Sequence, residues 1–345
     1  MDGADVFINR LPVTTYNRLG MNESKITGAA IESEARILLT GFENSGKACA
    51  ASADIRTGAG EELDELFIKS GISDRVFDID KSVNEPLRME VFFDKDLQGM
   101  SAVVNVHDNV NCDIVVELSK AEEIKAFGAF SLKLNIGRAS HVRIIQLTNG
   151  DKDLTLVNTL GSRLFENAGL ELIQISSKGK LYQSFMTELL GDGSEFTADI
   201  AYELCGHDLL DMNDVVMHKG RKTKSEINAG GSLADNSKKL FRGTIDLQKG
   251  CAGAVGNEKE EVLLLDDTVI NQTIPLILCG EEDVVGNHGA TIGRPDEDKL
   301  FYLESRGISE KAALELLIKA SMNKTYKKLW DKKLRERLLG AESYE

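Results

Sequence analysis

His288 stands in the stretch VVGNHGATIGRPDEDKLFYLESRGI, which runs from Val284 to Ile308. Small or short neighbours follow it: Gly289, Ala290 and Thr291. An imidazole can bind a transition metal, but the residues alone favour a histidine that hydrogen-bonds to support the strand-to-helix corner. The other reactive side chains are dispersed. The five cysteines, Cys49, Cys112, Cys205, Cys251 and Cys279, are odd in number and form no CxxC pair. They suit a reducing compartment and supply no zinc-type spacing. Cys279 lies nine positions before His288 and could approach it if the chain turns back in a coil. His107, His141, His207 and His218 form no helical i, i+4 pair and no HExxH motif. His207-Asp208 and Asp266-Asp267 offer carboxylates for acid–base work, but nothing in their spacing converges them.

A second stretch, GFENSGKA from Gly41 to Ala48, matches most of the phosphate-binding pattern GxxxxGK, and VLLLDD (Val262–Asp267) looks like an accompanying acidic strand. Ala48 replaces the Ser or Thr whose hydroxyl binds Mg²⁺. The residues that follow, CAASADIRTGAG, make a poor helix, although a phosphate cradle needs a helix N-terminus there. A glycine turn between two strands is expected instead, and no ATP is expected to bind this chain.

The elements that would position these residues change character along the chain. GEELDELFIKSGI, from Gly60, predicts a short surface helix carrying Leu63, Leu66 and Phe67 and ending at Gly71. From about Met100 to Cys279 the text is short strands separated by Gly, Asn, Asp or Ser, as in SAVVNVHD, CDIVVELS, SLKLNIG and HVRIIQLT. No proline occurs between Pro86 and Pro275. Small or polar residues lead into an apolar one at ASHV, NAGL, GSEF, KSEI and CAGAV, spaced about 26 to 31 residues apart. That period favours a solenoid, here a parallel β-helix, over a sandwich, which the strand pattern alone also allows. After Pro295 the chain reads as helix. Asp296 can cap a helix to about Arg306, Gly307 can close it, and Ser309 can cap a second one running to the basic tail. Ala313, Leu316, Leu317 and Ala320 form an apolar stripe that Trp330, Leu334 and Leu338 continue. The expected organisation is an N-terminal segment over 1–95, a β-helix over 96–293 and a helical domain over 294–345.

Composition bounds the function. The formal net charge of −15 over 345 residues argues against nonspecific binding to nucleic acid or anionic membranes. No apolar run approaches the ~20 residues of a membrane span. The opening MDGADVFINRLP lacks a basic region followed by an apolar core, so a cytoplasmic protein is expected. A β-helix carbohydrate-active enzyme remains an alternative, though an aromatic content of 6% leaves few rings for sugar stacking.

HGATIGRPDEDKLFYLESRGIS resembles the C-terminal signature of the SufB/SufD family of iron–sulfur cluster assembly proteins, and HGAT in place of HEAT resembles SufD more than SufB. KLFRGTIDLQKGCAGAVGNEKEEVLLLDD and LPVTTYNRLGMNE are similar to further family segments, the latter with Tyr16 where a Trp is usual. The resemblance implies a right-handed parallel β-helix and a cytosolic complex with SufB and the ABC-type ATPase SufC. It implies that the chain is not itself an enzyme, with ATP hydrolysed in the partner. It makes His288 a candidate ligand of a transient iron–sulfur cluster shared across the subunit interface, with Cys279 as a second candidate. It makes the C-terminal helices the SufC-docking element, with Leu300, Tyr302, Arg306, Ala313, Leu316, Leu317 and Ala320 as candidate contacts. The cysteine of SufB aligns near Val269 here, and Gly286 stands where many SufD sequences carry a cysteine. A SufB-like or homodimeric SufBD scaffold that binds a cluster by itself is the alternative within the family.

Overall fold

A computed structural model describes residues 4–15, 17–42 and 55–339. The phosphate-loop-like residues Glu43–Ala48, together with Tyr16 and Cys49, lie outside the described residues.

Alternating strands of the repeat region go to two facing parallel sheets, so each coil contributes one strand to each. Sheet I stacks Leu87–Phe93, Asn111–Lys120, His141–Asn149, Gly169–Ser177, Glu195–Leu204, Lys224–Leu233, Ala254–Leu264 and Val284–Gly293 in order, and Arg36–Thr40 closes its far edge antiparallel. Sheet II stacks Gln98–Val106, Ala126–Ile136, Leu154–Leu164, Lys180–Leu189, Leu209–His218, Lys238–Leu247 and Ile270–Cys279. This is the expected parallel solenoid. Its regular stacking begins at Leu87, ahead of the expected boundary at 96.

The faint repeat has a structural cause. Its small members Ser140, Ala168 and Ser194 are buried immediately before their sheet I strands and Ala254 opens its strand, where the chain turns a tight corner. Between the sheets, rows of in-register apolar side chains form one long core, including Ile114, Ile144, Leu172, Ala198 and Ile227. Pro275 falls in the last strand of sheet II, an edge, where a missing N–H breaks no ladder beyond it.

Both outer faces are partly covered, which explains why mid-solenoid strands are buried almost continuously rather than at alternate residues. On sheet II lies α1 (Glu61–Ser70) with the N-terminal hairpin of Ala4–Ile8 and Ser24–Ala29. The hairpin is strapped down by Arg242, which is fully buried. Its guanidinium donates to the Met21 carbonyl at 2.7 Å and to Asp211 Oδ1 at 2.7 Å.

The C-terminal region forms α2 (Glu297–Ser305), α3 (Glu310–Tyr326) and α4 (Lys332–Leu339). Asp296 caps α2 by accepting from the Asp298 and Lys299 amides. Ile308 N–H reaches the Leu303 carbonyl and Gly307 N–H the Glu304 carbonyl, with Gly307 at φ 86°, the paired ending expected of a glycine there. Ser309 caps α3. The single long second helix expected from sequence is instead broken at Lys327–Asp331, because Asp331 caps α4 through the Leu334 amide and pairs with Arg88 of sheet I. The tail is also not a free stripe. Met322, Tyr326, Leu329, Trp330, Leu334 and Leu338 pack on Val115, Ile145, Leu147, Ile173 and Ile175 of sheet I. Lys324, Lys328 and Arg337 pair with Glu261, Asp199 and Glu117.

Candidate functional site

The solenoid ends with an uncovered coil. The strands Ile270–Cys279 and Val284–Gly293 are the last of their sheets, so among the described residues each leaves one backbone edge unpaired. Ile270, Val285 and Ile292 are exposed on this coil. His288 sits in the middle of the Val284–Gly293 strand and is exposed. Its register partner is Glu258, which continues downward through Ile227, Ala198 and Leu172. In-register residues of parallel strands share a face. The row below His288 is buried core, so the imidazole faces the inter-sheet space where that space opens to solvent.

Cys279 is also exposed, with its thiol on the Glu281 carbonyl at 3.2 Å. Gly286 faces Ile277 across the sheets. By the same alternation Cys279 faces the level of Val284, four residues from His288, or roughly 13 Å along the strand. The structure therefore does not place Cys279 beside His288. Among the described residues no group of three or more His, Cys, Asp or Glu side chains is arranged to hold a metal.

The other sequence candidates have structural roles. Asp208 accepts from the Gly179 and Cys205 amides at 2.8 and 3.0 Å. Asp266 accepts from the Asp235 amide at 2.7 Å, and Asp267 pairs with Arg294. These carboxylates hold turns of adjacent coils together. His107, His141 and His207 are exposed, whereas His218 is buried inside the solenoid. His218 is bracketed by the Thr223 and Ser225 hydroxyls at 2.8 Å each, and burial lowers its pKa to about 4.

Beneath His288 the core becomes polar, a feature that local sequence does not disclose. Lys239 and Glu260 form an ion pair with side chains almost fully buried, joined by Thr273 Oγ1 at 2.9 Å from Lys239 and 2.7 Å from Glu260. Burial pushes the Lys239 ammonium down, opposed by Glu260. Glu258 is buried, and its carboxylate lies against Gly243, where an added Cβ would overlap it. Burial, then Glu260, raises the Glu258 carboxyl to about 8. Asp214, in register with Gly243, is raised well above the usual range by burial and by Glu258, and its Oδ2 has no partner. The signal that finds these acids is the 30-residue offset between Glu258 and His288, which is the coil length at that point.

Of the expected docking residues, Tyr302, Arg306, Leu316 and Ala320 are exposed, and Leu300 and Leu317 are half-buried. Ala313 is fully buried and so does not contribute surface as expected. Phe301, absent from the sequence expectation, is the most exposed aromatic of α2 at 73%, next to Tyr302, over whose ring Arg306 lies. No helix among the described residues is long and apolar enough to cross a membrane.

Residues 94–321, well over half the chain, match the family model described as SUF system FeS cluster assembly, SufBD core domain. The chain is also similar to iron-sulfur cluster assembly SufBD family proteins of Staphylococcus saprophyticus and of Staphylococcus aureus strains USA300 and COL, each 27% identical over 189 residues. That alignment covers 54% of this chain and 40% of each relative's length.

Proposed function

The chain belongs to the SufBD family of the SUF system, and on that premise we propose that it is a SufD-like, non-enzymatic subunit of a cytoplasmic iron–sulfur cluster assembly complex. The observation that carries this reading is the uncovered terminal coil, with His288 on its inner face and two unpaired strand edges around it. Unpaired edges with exposed apolar residues call for cover, and a second SufBD-type solenoid is the cover of matching shape. Val269, where the resemblance places the SufB cysteine, gives this chain no thiol there, so the partner supplies it. The nascent cluster is cargo held between the two chains, with His288 as this chain's ligand.

An ABC-type ATPase of the SufC kind docks on the exposed face of α2 and α3, where Phe301, Tyr302 and Leu316 stand free of the solenoid. Deleting everything from Ser309 is a poor test, because α3 and α4 cover an apolar face of sheet I. Surface charges are cleaner. On co-expression with SufB-like and SufC-like proteins, the wild-type chain is expected to co-purify with both. Phe301→Asp with Leu316→Asp is expected to lose the ATPase and keep the SufB-like chain. Undiminished ATPase recovery contradicts the docking surface, and a cluster retained by the isolated chain points instead to a scaffold that works alone.

A further inference from the structure

The C-terminal arm, from the end of α3 at Ser321 through the break to Leu339 of α4, meets the solenoid differently from the strands beneath it. Those strands are joined by continuous parallel ladders of backbone hydrogen bonds. The arm lies across their outer face by its side chains. At the break its backbone bonds close within it: Lys327, Lys328 and Leu329 donate to the Asn323, Thr325 and Tyr326 carbonyls. Beneath the arm, Val115, Ile145, Leu147, Ile173, Ile175 and Ala201 make an apolar strip across four coils, and Met322, Leu329 and Leu334 are buried against it. The rest of the hold is charge. Lys328 pairs with Asp199 at 2.6 Å, Arg337 with Glu117 at 2.6 Å and Lys324 with Glu261 at 3.2 Å, while Arg88 of the sheet pairs with Asp331 of the arm. Arg143 of the sheet lies over the Trp330 ring, 5.0 Å from its centroid. The three arm cations are half-exposed, so dissolved salt reaches them. A cavity of about 50 Å³ between α3 and the sheet, lined by residues that include Asn228, Gly230, Ser321 and Thr325, leaves the fit incomplete. Part apolar and part ionic, this contact resembles one between separate domains more than a core.

We infer that the arm is a releasable strap, held by charge over an apolar strip of sheet I and able to open as a unit while the solenoid stays folded. Closed, it withholds the strip from any other partner. Opening breaks no strand ladder, because the strip is a side-chain face and the sheet's backbone bonds run sideways between strands. Opening exposes a few apolar side chains and gives up the ion pairs, and the freed arm regains conformational entropy. α4 has 8 residues. A helix that short does not persist alone in water, so α4 melts when Leu334 leaves the sheet.

The test uses the chain's single tryptophan, Trp330, as the reporter of the strap. In urea titrations of the full-length chain, its fluorescence is expected to shift to the red at a lower urea concentration than the one at which the far-UV circular dichroism of the strands is lost. Raising NaCl from about 0.05 M to about 1 M is expected to raise the opening constant about tenfold and to leave the strand transition nearly in place. Lys328→Gln with Arg337→Gln is expected to reproduce that shift at low salt and to reduce what salt then adds. A Trp330 transition that coincides with the strand transition overturns the strap, and one that precedes it but ignores salt overturns its ionic hold. Native-state hydrogen exchange gives a reading that needs no variant. Amides of Lys332–Leu339 are expected to exchange faster in high salt while those of Lys180–Leu189 are unchanged. The same response in both segments, or none in either, contradicts the inference.

Discussion

His218 and His288 both face the space between the two sheets, but they occupy opposite circumstances. His218 lies within the stack, covered by later coils and satisfied by Thr223 and Ser225. His288 lies on the last strand, with no further strand of the described residues stacked above it. The same fold thus makes one histidine part of the core and leaves the other free to take a ligand. In a solenoid, position along the stack decides what an inward side chain does. Middle coils bury it on all sides, while the terminal coil leaves an inward residue exposed.

The contrast predicts a steep gradient of mutational cost. Phe185→Ala, in the mid-solenoid core against Phe196, is expected to cost about 3–5 kcal/mol in urea unfolding. Ile292→Ala on the open coil is expected to stay within about 1 kcal/mol. Equal costs would mean that the terminal coil is as enclosed as the middle. Lys239→Ala leaves Glu260 buried without its cation and is expected to cost about 3–5 kcal/mol, whereas Lys239→Met with Glu260→Met together is expected to cost much less. A double variant as unstable as the single one would show that the pair itself, and not the stranded charge, is what matters.

How much of this could be read from residues alone follows from the range over which each feature is decided. Helix ends were legible because Asp296, Gly307 and Ser309 act on amides within a few residues. The solenoid was legible from buried corner residues such as Ser140 and Ser194, which recur once per coil. The break between α3 and α4 was not, because KKLWDKK contains no Gly or Pro and Asp331 is fixed by Arg88, more than two hundred positions away. Trp330, Leu334 and Leu338 read only as the continuation of an apolar stripe, because the sheet face that takes them is assembled from four separate coils. Glu258 and Glu260 were hidden most completely. GNEKEEV reads as a solvated strand, and only the register to His288 shows which of its acids point inward.

Acid should act on the buried histidine. The His218 pKa is depressed in the folded state, so between about 6.5 and 4 the unfolded chain binds a proton that the folded chain does not. Its contribution is therefore present above pH 6.5 and is lost as pH falls towards 4, a change of about 3 kcal/mol at most. Urea midpoints measured from pH 7 to 4.5 are expected to fall more steeply for the wild type than for His218→Gln. Parallel curves would remove His218 as the cause. His288→Ala, by contrast, is expected to change stability by no more than about 0.5 kcal/mol, as for an exposed residue. A larger loss in thermal unfolding would make His288 a structural residue of the terminal coil.

The central claim is that the open coil presents His288 to a nascent cluster held with another chain. Anaerobic cluster reconstitution on the co-purified complex, read by the visible absorbance of the iron–sulfur chromophore, tests it most directly. The His288→Ala complex is expected to assemble at wild-type yield and to lose cluster by roughly tenfold. A complex that assembles normally and forms cluster at the wild-type level would contradict the claim.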